Sequence, residues 1–201
     1  MPHSHGPMVY TRVLIGALVL LLAGVATAAP RDESGTVFTL DPTASSVDFT
    51  LTAVLHTIHG TFRVKRGILR FDPVTAAVSG ECVVDATSGV SGNRTRDRKM
   101  SHEILASDRY PEIVFVPLQV RGSVAPQGAS QVDVDGIFTI HGASHPLTAT
   151  VMVHVTGERF TVSTHFLVPY IQWGMPDPST FVFKVDKQVE VHFEAAGHLM
   201  R

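Results

Sequence analysis

The chain has 201 residues, with 16 lysines and arginines against 18 aspartates and glutamates, and 44% of its residues are hydrophobic. A formal charge of −2 sets up no field that would gather nucleic acid or an anionic lipid surface, so no nucleic-acid partner is expected. A single cysteine, Cys82, excludes an internal disulfide framework and leaves apolar burial to hold the fold together.

Arg12 precedes an apolar run over residues 13–23, and Ala26 and Ala28 stand at the small-residue positions of a cleavage site, so residues 1–28 read as a signal peptide. The run is short for a bilayer span, and no stable membrane insertion is expected after cleavage. Removing 28 of 201 residues leaves 173, enough for one domain, and Arg12 leaves with the leader, so the formal charge becomes about −3. The protein is expected in the periplasm or secreted, with one domain over residues 36–196.

Period-two alternation begins at Thr36 and predicts strand after strand. Val47, Phe49, Leu51 and Ala53 share one face against Asp48, Thr50 and Thr52; Phe62 and Val64 oppose Thr61, Arg63 and Lys65; Leu69 and Phe71 oppose Arg70. Gly60 and Gly67 are expected to bracket turns or bulges. Cys82, at strand spacing in E-C-V-V-D, reads as a small buried apolar residue ahead of a reactive thiol.

The alternation stops over residues 93–107, which read as one short polar helix. Met100 and Ile104 are four apart, Asn93 or Ser91 can cap the start, and Pro111 forbids extension. Its arginines and lysine read first as a solvated face.

Strands then resume. Apolar positions recur at Val132, Val134, Phe138 and Ile140; at Leu147, Ala149, Val151, Val153 and Val155; and at Phe160, Val162, Phe166 and Val168. Residues 123–130 form a loop, and Gly157-Glu158 fits a tight hairpin. The longest run, Phe181, Phe183, Val185, Val189, Val191 and Phe193, closes the series, and His198 falls in a tail expected to be mobile. Long strands joined by short turns, apolar on one face, predict an up-and-down antiparallel barrel or a strongly bent sandwich.

Several of these pieces, in this order and spacing, resemble the YceI-like family, lipocalin-like proteins associated with polyisoprenoid binding. They are Leu40-Asp41-Pro42 with residues 45–49, His59-Gly60-Thr61-Phe62, residues 67–73, residues 93–100 with Arg96-Asp97, and residues 110–115. Residues 136–142 and 170–175 continue the match over nearly the whole mature chain. The resemblance implies an all-β, eight-stranded antiparallel barrel with one short α-helix, exported to the periplasm and holding a long apolar chain, such as an isoprenoid quinone, polyisoprenoid or fatty amide. Pairing into a homodimer through barrel edges or ends is open. Residues 173–181 and the helix around Met100 depart from the pattern, as in a divergent branch.

A long-chain apolar small molecule is the partner such a barrel would take. Ten buried methylenes at ~0.8 kcal/mol each give roughly 8 kcal/mol, so apolar contact alone suffices. The expected ligand-binding residues are Phe49, Leu51, Phe62, Phe115, Phe138, Ile140, Phe166 and Phe183, with Trp173 on a loop near one end. Each is also an ordinary core residue by type.

The sequence has eleven histidines. His3 and His5 leave with the leader; His56 and His59 point apart on a straight strand; His154, His165 and His192 fall on outward positions. His141 and His145 flank a hairpin and could converge, which keeps a metal or haem-binding reading open beside the carrier reading. A filled barrel acting as an interaction module is a second alternative. No metal or other cofactor is expected. Ser101-His102 and Ser144-His145 are sequence neighbours that point apart on a strand, and no G-x-S-x-G elbow occurs, so no catalytic residues and no enzyme are expected.

Overall fold

Because alternation gives every strand one apolar and one polar face, the chain can bury its apolar rows only by wrapping the sheet around them. The computed structural model describes residues 35–54, 56–180 and 184–201. The expected signal peptide, Phe181 and Phe183 lie outside the described residues. In chain order come β1 (Thr36–Leu40), β2 (Ser46–Thr52), β3 (Thr57–Phe71), β4 (Val78–Val90), helix α1 (Arg94–Lys99) running into a π turn (Met100–Ile104), then β5 (Glu112–Arg121), β6 (Gly128–Ile140), β7 (Ala143–Thr156), β8 (Arg159–Val168) and β9 (Val189–Met200). The antiparallel sheet runs β1-β3-β2-β9-β8-β7-β6-β5-β4, and pairing of β3 with β4 closes it.

The strands β1 and β2 lie end to end in one stave. Residues 36–39 and 37–40 of β1 pair with 68–71 of β3 and 197–200 of β9, whereas β2 pairs with 57–62 of β3 and 190–194 of β9. A 3-10 turn at Pro42–Ala44 separates them, capped by the Asp41 carboxylate accepting from the Thr43 N–H at 2.8 Å. The nine segments thus make the expected eight-stranded barrel with one short helix. Among the described residues no helix is long and apolar enough to cross a membrane.

Three irregularities keep apolar residues inward where strict alternation would turn them out. The 3-10 turn moves the inner row from Phe38 and Leu40 to Val47, Phe49 and Leu51. A register shift between Val64 and Arg66 moves it from Ile58 and Phe62 to Leu69 and Phe71. Another between Pro117 and Gln119 moves it from Ile113, Phe115 and Pro117 to Val120, and proline, lacking an N–H, suits such a bulge.

Gly60 and Gly67 lie inside the single 15-residue strand β3 and, as expected, bracket bulges: its pairing with β4 shifts register between Thr61 and Arg63 and between Val64 and Arg66. Gly60 admits the Phe49 ring, whose Cζ would stand 2.4 Å from an added Cβ. The last strand starts only at Val189, with Val185 held in an isolated bridge to Ala53. It also continues past residue 196: His198 is paired with Thr39 and Arg159, so the expected mobile tail is a barrel strand.

Outside, β3, β4 and β5 carry a charge lattice. Lys65 Nζ and Arg66 Nη1 donate to Glu112 Oε1 at 2.7 and 3.0 Å, and Arg66 Nη2 to Glu81 Oε1 at 2.9 Å. Hydrogen bonds from Arg66 and then Lys65 hold the Glu112 carboxyl down at about 2, against an ordinary 4.5. A folded value below the unfolded one stabilises the fold above about pH 4.5, and that stabilisation is lost as pH falls towards 2. The excess melting temperature of wild type over Glu112→Gln is therefore expected to shrink across this window in a pH series; a constant difference would contradict the coupling. The groups are partly exposed, so the effect is a small one.

Candidate ligand cavity

The inward rows do not meet. They enclose a cavity of about 360 Å3 whose wall is almost wholly apolar and runs the length of the barrel. Several wall residues, among them Phe62, Phe115, Val151 and Phe166, are only half-buried although they point inward. The surface they keep faces the hollow. Along β6 the inner residues from Val132 to Ile140 cover about 26 Å of strand, or about 20 Å along the axis of a tilted barrel. One acyl chain in a bilayer leaflet reaches about 15 Å, so the hollow is long enough for one.

The helix end of the cavity is built by α1 and by Tyr170, Met175 and Pro178 beyond β8. Asn93 caps α1, its side chain accepting from the N–H groups of Thr95 and Arg96 at 3.0 and 3.1 Å. The π turn then widens the helix so that Met100, Ile104 and Leu105 all reach the cavity wall. His141 Nδ1 donates to the Leu105 carbonyl at 3.0 Å and fastens the end of this segment to the β6–β7 hairpin. On the other side, the Tyr170 hydroxyl donates to the Asp186 carbonyl at 2.8 Å, and Tyr170 and Met175 are buried in the wall. Burial first, then Asp177 nearby, pushes the Tyr170 hydroxyl up to about 12.

Polar groups are few in the wall. Thr164 is satisfied by donating to the Thr150 carbonyl at 2.8 Å. At the helix end Ser91, Arg96 and Lys99 line the cavity. The Asp97 carboxylate accepts from the Ser91 N–H at 2.8 Å and from its hydroxyl, and Arg96 Nε and Nη2 donate to Ser91 Oγ and O, both at 2.7 Å. Of all the lining residues among those described, only Lys99 is exposed, so the described wall comes to the surface at α1.

Of the residues anticipated from sequence, Phe49, Leu51, Phe62, Phe115, Phe138, Ile140 and Phe166 lie on this wall. Phe183 lies outside the described residues. Trp173 does not reach the wall: its ring stacks on His145 at 4.2 Å and leans on the back of Phe138 at 5.7 Å. Sequence reasoning passed over Phe38, Leu40, Pro117, Leu105, Tyr170 and Met175, and it gave Arg96 and Lys99 to solvent. Cys82 also faces the cavity, and burial pushes its thiol up to about 12, which leaves it protonated and a poor nucleophile at neutral pH.

The histidines go separate ways. His141 binds Leu105 and packs edge-on to Tyr110, while His145 stacks on Trp173. His102 pairs with Asp108 at 2.6 Å and His165 with Glu190 at 2.6 Å, and His192 meets Ser163 at 3.2 Å on the outer face. Among the described residues no three His, Cys, Asp or Glu side chains are grouped to hold a metal ion. Ser101 bonds Ser107, and Ser144 bonds Thr139, so neither serine is partnered by its neighbouring histidine.

A solved structure of BcnA from Burkholderia cenocepacia shares this fold with a TM-score of 0.64 at 18% identity, covering 79% of this chain and 99% of that one. A polyisoprenoid binding domain from Saccharophagus degradans, implicated in plant cell wall breakdown, gives 0.59 at 17% identity over 80% of this chain and 97% of its own. The Campylobacter jejuni YCEI protein gives 0.56 at 14% identity, covering 69% and 83%. No curated protein sequence matches the chain. At these identities the neighbours establish the fold; the YceI-like domain profile matches residues 38–196, and the chain belongs to the YceI-like family.

Proposed function

We propose that this protein is an exported carrier that sequesters or delivers a long-chain apolar or amphiphilic molecule, an isoprenoid quinone, polyisoprenoid or fatty amide by class, inside its barrel. The observation that carries this reading is the apolar hollow of about 360 Å3, which falls in the size range of small-molecule sites, roughly 300–1,000 Å3. Its wall is almost wholly apolar, so a hydrocarbon chain placed there would be removed from water at about 0.8 kcal/mol per methylene. Such a hollow also argues against a barrel filled by its own side chains.

Function here is binding, not catalysis. The family and the neighbouring polyisoprenoid binding domain support the same class of ligand. The leader-like segment at residues 1–28 supports export to the periplasm. Organic extraction of natively purified protein followed by mass spectrometry is expected to recover about one long-chain lipid per chain. Repeated recovery of none would overturn the proposal.

A further inference from the structure

A neutral apolar ligand accounts for the barrel's wall but leaves its helix end unexplained. Arg96 and Lys99 are the only charged residues on the cavity wall, and no carboxylate lines it among the described residues. They are three apart on α1, which puts their side chains side by side. The wall is almost wholly apolar, so their stems line it and their charged ends stand at its edge, where Lys99 is exposed. Arg96 is not free to swing away. Its Nε and Nη2 are tied to Ser91 at 2.7 Å each, which fixes the guanidinium plane and leaves Nη1 without a protein partner among the described residues. Lys99 forms no hydrogen bond or ion pair among the described residues. Asp97, bound to Ser91, offsets one of the two cations, so the mouth keeps a net charge of about +1.

A quinone or amide carbonyl can accept from both groups but brings no charge of its own, so it leaves the net positive charge there unneutralised. An anionic head would receive charge-assisted hydrogen bonds from both, each about twice as strong as a neutral one. We infer that the ligand is an amphiphile with an anionic head, a carboxylate or a phosphate monoester, held between Arg96 Nη1 and Lys99 Nζ with its chain running down the barrel. This rests on the carrier reading above and narrows its ligand class.

The test compares three C16 compounds on delipidated full-chain protein at low salt: palmitate, hexadecyl phosphate and the neutral palmitamide, each competing with a fluorescent apolar-chain probe. At least one anion is expected to bind about tenfold more tightly than the amide, and which anion leads identifies the head. Lys99→Gln is expected to cut that preference to about twofold and Lys99→Glu to reverse it, as charge pairing requires. Lys99 is exposed, so both variants are expected to keep the wild-type melting temperature. Equal binding of all three compounds, or a preference that survives Lys99→Glu, overturns the head-group inference and leaves the carrier intact. Binding of none of the three overturns the carrier reading and this inference with it.

Discussion

Replacing Ala149 with phenylalanine is expected to empty the barrel of ligand while leaving the barrel folded. Ala149 is buried at 6% exposure on β7, opposite Val134, and its methyl forms part of the cavity wall. A ring grown from that position enters empty space, so the overpacking that usually costs about 1–3 kcal/mol in a filled core is relieved here. It takes the volume of several methylenes from the ligand. Evicting about four of them at ~0.8 kcal/mol each removes roughly 3 kcal/mol, or about two orders of magnitude in affinity. The readouts are the lipid recovered by extraction and the dissociation constant for a long-chain probe, with circular dichroism and thermal unfolding as the check on folding. A folded variant that still carries wild-type amounts of lipid would mean that the ligand does not occupy this hollow.

The barrel was legible because its strands advertise a face. Phe49, Phe115, Phe138 and Phe166 could be named as inward from alternation alone, since a residue two positions along a strand shares its neighbour's side. Legibility failed wherever the parity breaks. Phe38 and Leu40 fall on even positions and Val47 and Phe49 on odd ones, and only the intervening 3-10 turn reconciles them. Pro117 and Val120, three apart, could not be put on one face without knowing of the bulge between them. The helix hid its role for a different reason. Arg96 and Met100 are four apart and Lys99 lies beside them, a spacing that already set two cations next to an apolar contact. Short basic helices are so often solvated that ligand recognition stood only as the second reading of this one, and the π turn that brings Leu105 inward has no sequence signature. Trp173, expected at the ligand from its place on a loop near one end, instead packs its ring on His145 and Phe138 behind the wall.

The end of the last strand is where the sequence was least informative and where a one-methyl change is expected to be costly. Gly197 on β9 is buried and paired with Leu40 of β1, beyond residue 196, the expected end of the domain. A Cβ on Gly197 would stand 2.0 Å from the Thr39 carbonyl oxygen, 2.9 Å from its carbon and 3.0 Å from the Leu40 Cα. All three are backbone atoms. No rotamer change relieves that contact, so β1 must move off β9 for alanine to fit. Moving β1 pulls Leu40 out of the core and Phe38 from its edge-on contact with Phe160 at 5.1 Å. Each such side chain contributes about 1.5–3 kcal/mol by burial, so Gly197→Ala is expected to cost at least about 3 kcal/mol. Urea unfolding measures the loss, and amide exchange locates it, with the Val37 and Thr39 region of β1 expected to lose protection before the other staves. A variant within about 0.5 kcal/mol of wild type, as for an unconstrained surface site, would show that β1 does not close the barrel against β9.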